Sequence, residues 1–194
     1  MGRTCAALSG LACAFVAIAT PAAAFTAIDP LTRQPLYSAE DTFKAQAAPV
    51  PREVVAFNGR YAPGTIVVST SERRLWFVLG NGQAVQYGVG VGRPGFTWSG
   101  THSVTMKREW PDWRPPSAML KRRPDLPRYM KGGPDNPLGA RALYIGSTIY
   151  RIHGSNEPET IGEAVSSGCI RMTNEDVMDL YSRAKVGAQV VVLR

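Results

Sequence analysis

A chain of 194 residues has room for one ordinary domain with short extras and is long enough to bury a real core. Its formal charge of +7 suits a polyanionic partner, either nucleic acid or an acidic cell-wall polymer, and equally suits a plain solvated surface. Its histidines and cysteines show no clustered ligand spacing, so neither a metal nor another cofactor is expected.

The chain carries a positive charge early, at Arg3, runs apolar and small through residues 8–18, and reaches Thr20-Pro21-Ala22-Ala23-Ala24, a small-residue cleavage pattern. The apolar run falls short of the ~20 residues that span a bilayer, so residues 1–24 read as a signal peptide rather than a stable membrane span. Export to the periplasm follows, and it argues against a nucleic-acid partner. Cys5 and Cys13 leave with the signal peptide, and Gly10-Leu11-Ala12 before Cys13 is a poor lipidation site. Cys169 then stands alone in an oxidising compartment, either a buried apolar filler or a reactive thiol. Residues 25–59 carry scattered prolines and no sustained periodicity, and read as an extended tether.

Folded pattern begins with residues 60–194. Residues 65–70 (TIVVST) are β-branched, residues 74–79 (RLWFVL) are apolar, Asn81-Gly82 is a hairpin turn, and residues 83–91 (QAVQYGVGV) alternate. Residues 88–95 (GVGVGRPG) lack the Gly-Lys-Ser/Thr ending of a phosphate loop and read as a turn or bulge. Residues 101–107 suggest another strand. Residues 109–137 are too rich in proline for a regular helix or central strand, and read as a functional loop. Trp110 and Trp113 there either pin the loop to the core or wall a substrate groove. A second hairpin over residues 142–152 runs into His153-Gly154. Residues 174–185 are the one convincing helix, with Asn174 as cap, and residues 189–193 (QVVVL) close the domain as a strand. The fold class expected is mainly β, a sandwich or barrel with one packed C-terminal helix.

The chemistry lies in Ser166-Ser167-Gly168-Cys169-Ile170-Arg171-Met172. A cysteine after a glycine at the approach to a helix is placed for acyl transfer. The backbone N–H groups of Gly168 and Cys169 are candidate oxyanion donors. Arg171 and the helix start favour a thiolate if the fold brings them close. His153, at a strand end before Gly154, is the candidate base, whereas His102 lies mid-strand, where a core or surface histidine is the default.

These motifs resemble the L,D-transpeptidases of bacterial peptidoglycan. The resemblance rests on Tyr150-Arg151-Ile152-His153-Gly154-Ser155-Asn156, Ile161-Gly162 and the Ser166 to Met172 motif, with support from Ala62-Pro63-Gly64, Gly88-Val89-Gly90 and Asn136-Pro137-Leu138-Gly139. It implies that Cys169 attacks a donor stem peptide at its third-position diamino acid and releases the terminal D-alanine. His153 then serves as base, and Arg171, Ser167 and Gly154 contact substrate. Arg171 binds a stem carboxylate or sits in a structural salt bridge. The implied acceptor is a diaminopimelate amine on a neighbouring stem or a lysine of an outer-membrane lipoprotein. A carboxypeptidase or hydrolase using the same acyl-enzyme, and a non-catalytic wall-binding module, are the alternatives. Many members carry a histidine where this chain has Ser167.

Overall fold

A computed structural model describes residues 50–194; the expected signal peptide and the first part of the tether lie outside the described residues. Eleven strands and two α-helices are built from them. The first strand, β1 (Glu53–Ala56), falls inside the stretch read as a tether. Its residues pair antiparallel with β4 (Gln83–Gly88), with Val55 opposite Ala84. Its short, largely exposed run at a sheet edge shows no periodicity of its own, which is why the sequence hid it.

The buried run Ile66–Ser69 forms β2, and the Asn81-Gly82 turn joins β3 (Arg74–Gly80) to β4 as expected. Asn81 and Gly82 both take positive φ, the geometry that this turn demands. Two residues, Val91–Gly92, make β5, and the ten-residue β6 spans Gly100–Glu109. Next come β7 (Arg141–Ile145), β8 (Arg151–His153), β9 (Ala164–Ser166), β10 (Ile170–Arg171) and β11 (Gln189–Leu193).

Nine strands share one sheet in the order β1-β4-β3-β2-β11-β6-β7-β8-β10, and β5 pairs with β9 beside it. Strand β6 serves two neighbours. Its first residues pair with β11, its later ones pair with β7, and the register shifts between Val104 and Met106 where it passes from one to the other. Ile66, Leu75, Tyr87, Val104, Leu143, Ile152, Ile170, Met172 and Leu180 fill the core between.

Helix α2 (Asn174–Arg183) packs on β7 and β8. Its cap is Thr173, one residue earlier than expected: Oγ1 of Thr173 accepts from the Asp176 N–H at 3.2 Å. Asn174 is buried instead, accepting from the Ala140 N–H at 2.8 Å and donating to the Ser155 carbonyl at 3.0 Å. That side chain binds the helix start to the segment that follows His153. At the other end, Lys107 Nζ donates to the carbonyls of Tyr181 and Ala184 at 2.5 and 2.7 Å, satisfying acceptors that a helix C-terminus leaves open.

The proline-rich segment does contain a helix, contrary to expectation. Pro116 stands at the N-cap of α1 (Ser117–Arg122), where its missing N–H costs nothing. Among the described residues no helix is long and apolar enough to cross a membrane.

Candidate active site

Parallel pairing of β8 with β10 sets Ile170 beside Ile152 and Arg171 beside His153. The same register carries Cys169, the residue before β10, opposite Arg151, and His153, two residues further along β8, projects from the same face. His153 and Cys169 line a single cavity of about 590 Å³, walled by Tyr150, Arg151, Ser166 and Ser167 on the strand side. The proline-rich segment supplies the opposite wall through Trp113, Pro116, Met119, Leu126, Pro127 and Met130. Trp113 thus lines the cavity, and its backbone bridges to Met130.

His153 is almost wholly buried, at 4% exposure. Its Nδ1 lies 2.6 Å from the carbonyl oxygen of Gly154. A carbonyl only accepts, so Nδ1 carries the proton and donates it, leaving Nε2 with the free lone pair. The Gly154 carbonyl thus orients His153. Burial, reinforced by the Arg171 charge, pushes the imidazole down to about 3. The ring is neutral at any ordinary pH.

Gly168 holds φ +110° and its α-carbon faces the Tyr150 ring, so a side chain there meets both strain and a clash. Three hydrogen bonds fix the turn it makes. Ser166 Oγ donates to the Cys169 carbonyl at 2.6 Å and accepts from the Gly168 N–H at 3.0 Å. Trp98 Nε1 donates to the Gly168 carbonyl at 2.7 Å, while its ring stacks on Tyr150 at 4.6 Å. The Gly168 N–H is therefore already engaged by Ser166, which removes it from the expected oxyanion pair. The Cys169 N–H is differently placed. It lies on the far side of a trans peptide from the carbonyl that Trp98 holds.

Cys169 is half-buried and unpaired. Burial pushes its thiol above the usual value, opposed first by the backbone N–H of Arg151 and then by the charges of Arg151 and Arg171. The sequence singled out Arg171 as the thiolate's cation; Arg151 is the nearer one. The Arg151 guanidinium is within hydrogen-bonding reach of the thiol and rests 4.9 Å from the Tyr144 ring centre. Its Nε is buried with no partner. Arg171 points into an ion pair, donating to Glu157 Oε2 at 2.8 Å, which favours the salt-bridge reading over the stem carboxylate. Ser167 Oγ accepts from Arg122 Nη2 at 3.4 Å. His102 stays outside the cavity, edge-on to Trp98.

A neutral imidazole with a free Nε2, a protonated thiol and a cation beside it can deprotonate the thiol as it attacks a carbonyl. Among the described residues no three His, Cys, Asp or Glu side chains gather as metal ligands.

Residues 63–192 match the YkuD family, the L,D-transpeptidase catalytic domain. The chain is 38% identical over 137 residues to the probable L,D-transpeptidase ErfK/SrfK of Escherichia coli K12, covering 66% of this chain and 43% of that protein. It therefore spans less than half the length of the curated relatives it first matches. A Brucella melitensis crystal structure, of a protein described as a probable carnitine operon oxidoreductase, is 44% identical with TM-score 0.52, over 76% of this chain and 96% of that one. L,D-transpeptidase 3 of Mycobacterium tuberculosis, solved with a faropenem-derived adduct, shares the fold at TM-score 0.53 and 22% identity, over 67% of this chain and 60% of that one.

Proposed function

Because the chain belongs to the L,D-transpeptidase catalytic-domain family, we propose that it is an exported peptidoglycan L,D-transpeptidase with Cys169 as nucleophile and His153 as base. The observation that carries this reading is the convergence of Cys169 and an Nδ1-anchored His153 on one cavity. The family match and this acyl-transfer geometry weigh more than the oxidoreductase name of the Brucella relative.

In the first half-reaction Cys169 Sγ bonds to the carbonyl carbon of the third-position diamino acid. The Sγ proton passes to His153 Nε2 and then to the nitrogen of the departing D-alanine as the amide bond breaks. The developing oxyanion faces the Cys169 N–H, while Arg151 steadies negative charge on sulfur. In the second half-reaction an amine attacks the thioester, its proton goes to Nε2, and the thiol is restored. The acceptor is a diaminopimelate side-chain amine or a lipoprotein lysine. Residues 1–24 serve as the export signal and place the reaction in the periplasm.

Incubating purified protein with muropeptides and reading the products by mass spectrometry tests this. A thioester on Cys169 and a new amide cross-link are the expected products. Release of D-alanine with only free tripeptide would assign water as acceptor, and no adduct on folded protein would end the reading.

A further inference from the structure

Five arginines line the cavity: Arg93, Arg122, Arg123, Arg151 and Arg171. Two are answered by carboxylates, Arg171 by Glu157 and Arg123 by Asp125. Arg151 rests against the thiol. Arg93 and Arg122 have no ion pair among the described residues, and both face one aromatic ring. The Arg93 guanidinium lies 4.3 Å from the centre of Phe96 and that of Arg122 lies 4.9 Å from it.

The two cations arrive from different walls. Arg93 follows β5, and its backbone N–H donates to the Ser166 carbonyl at 3.1 Å, so it is fixed to the strand that leads to the nucleophile. Arg122 ends α1 on the opposite wall and reaches across to Ser167 Oγ, two residues before Cys169. A guanidinium packed against a ring keeps its N–H groups at the edge of its plane, free for an in-plane carboxylate. Two positive charges sharing one ring repel each other, and an anion between them relieves that repulsion.

We propose that Arg93, Phe96 and Arg122 form a carboxylate-binding subsite that holds a free carboxylate of the donor stem peptide. Its contact with Ser167 places it beside the acylated cysteine, so it serves the molecule that acylates Cys169. The carboxylate assigned to it is one that stays on the acyl-enzyme, because only such a carboxylate can hold the donor in place through both half-reactions. The subsite thus selects donors whose carboxylates are not amidated. This inference rests on the transpeptidase reading for the identity of the peptide, and its test separates the two.

The test uses the whole protein carrying Cys169→Ser, which binds without forming a thioester, and two synthetic stem tetrapeptides. The peptides differ only in whether the internal carboxylates are free or amidated. Calorimetric titration should show the amidated peptide binding about tenfold more weakly. Adding Arg93→Gln or Arg122→Gln should weaken the free peptide by a similar factor and leave the amidated one unchanged, the non-additivity that marks a direct contact. Arg122→Lys should recover part of the loss and restore its salt dependence. Equal weakening of both peptides, no weakening of either, or no binding by either overturns the subsite. Where the glutamine variants melt early, Phe96→Leu supplies the second comparison: it should lower affinity for the free peptide alone. The parent protein with Cys169 intact is then mixed with the free peptide. Arginine-dependent binding without any acyl-enzyme would retain the subsite and end the transpeptidase reading, whereas acylation indifferent to both arginines would do the reverse.

Discussion

His153 donates from Nδ1 to the carbonyl of the residue that follows it, Gly154, at 2.6 Å. The base is thus oriented by its own backbone, and among the described residues no carboxylate takes part. A main-chain acceptor fixes the tautomer without adding negative charge that would raise the imidazole's basicity. Replacing Gly154 with Ala should disturb it, because an added β-carbon meets Asn174 Oδ1 and Val177. The expected outcome is a loss in acylation rate of roughly 10- to 100-fold with KM little changed, read by stopped-flow acylation. An Ala variant that acylates at the parent rate would show that the carbonyl's position is immaterial.

The pair should rest as neutral thiol and neutral imidazole. The Cys169 thiol lies above its usual value and His153 sits far below. Alkylation by iodoacetamide should therefore climb only at alkaline pH, later than for an unperturbed thiol. The low-pH reactivity expected of a thiolate–imidazolium pair should be missing. Arg151→Met removes a contact that favours the thiolate, so its profile should move further alkaline. A profile unchanged by that substitution would remove Arg151 from the chemistry.

Trp98→Phe should loosen the nucleophile turn while preserving the stack on Tyr150, because only the indole N–H to the Gly168 carbonyl is lost. One neutral hydrogen bond is worth about 1 kcal/mol, so thermal unfolding should shift modestly. Acylation should fall more than stability, about tenfold or more, as the Cys169 N–H loses its fixed direction. Equal small losses in both would make Trp98 a packing residue only.

Acid should weaken the fold through His153. The unfolded chain takes up a proton near pH 6.5, and the folded one resists until about 3. Stability is therefore fully present above pH 6.5 and falls as pH drops through that window, by at most about 1.4 kcal/mol per pH unit from this group. His153→Gln should flatten that part of the denaturation profile relative to the parent. A parallel slope in both proteins would place the acid sensitivity elsewhere.

Limited proteolysis should leave a stable fragment that begins near Val50 rather than Gly59. Strand β1 is paired to β4, and Arg52 Nη1 reaches Asp176 Oδ1 at 3.4 Å. Arg52→Ala should cost no more than ~1 kcal/mol, since the arginine is substantially exposed. Rapid trimming to Gly59 would show that the edge strand is not held.

Much of this was legible because the signals are local. The β-branched runs, the Asn81-Gly82 turn and the amphipathic helix announce their elements within a few residues. His153 and Cys169 stand beside glycines in a recognisable motif. Arg151 was missed although its signal was present: it precedes His153 by two in a strand, so both side chains leave the same face. The seven proline-free residues between Pro116 and Pro124 also signalled α1, but proline density around them outweighed the cap. Trp98 had no local signal at all. Its partner lies seventy residues away, and only the folded sheet brings them together.

Strand β11 is the element latest in sequence, yet it lies in the middle of the large sheet, parallel to β2 and antiparallel to β6. Until residues 189–193 leave the ribosome, β2 and β6 have no shared neighbour and the two halves of the sheet cannot join. Loop closure across more than a hundred residues must precede the reward from that pairing, which makes folding slow and late. The core of the large sheet thus closes only when residues 189–193 slot between strands made long before them, so any earlier intermediate carries two open sheet edges.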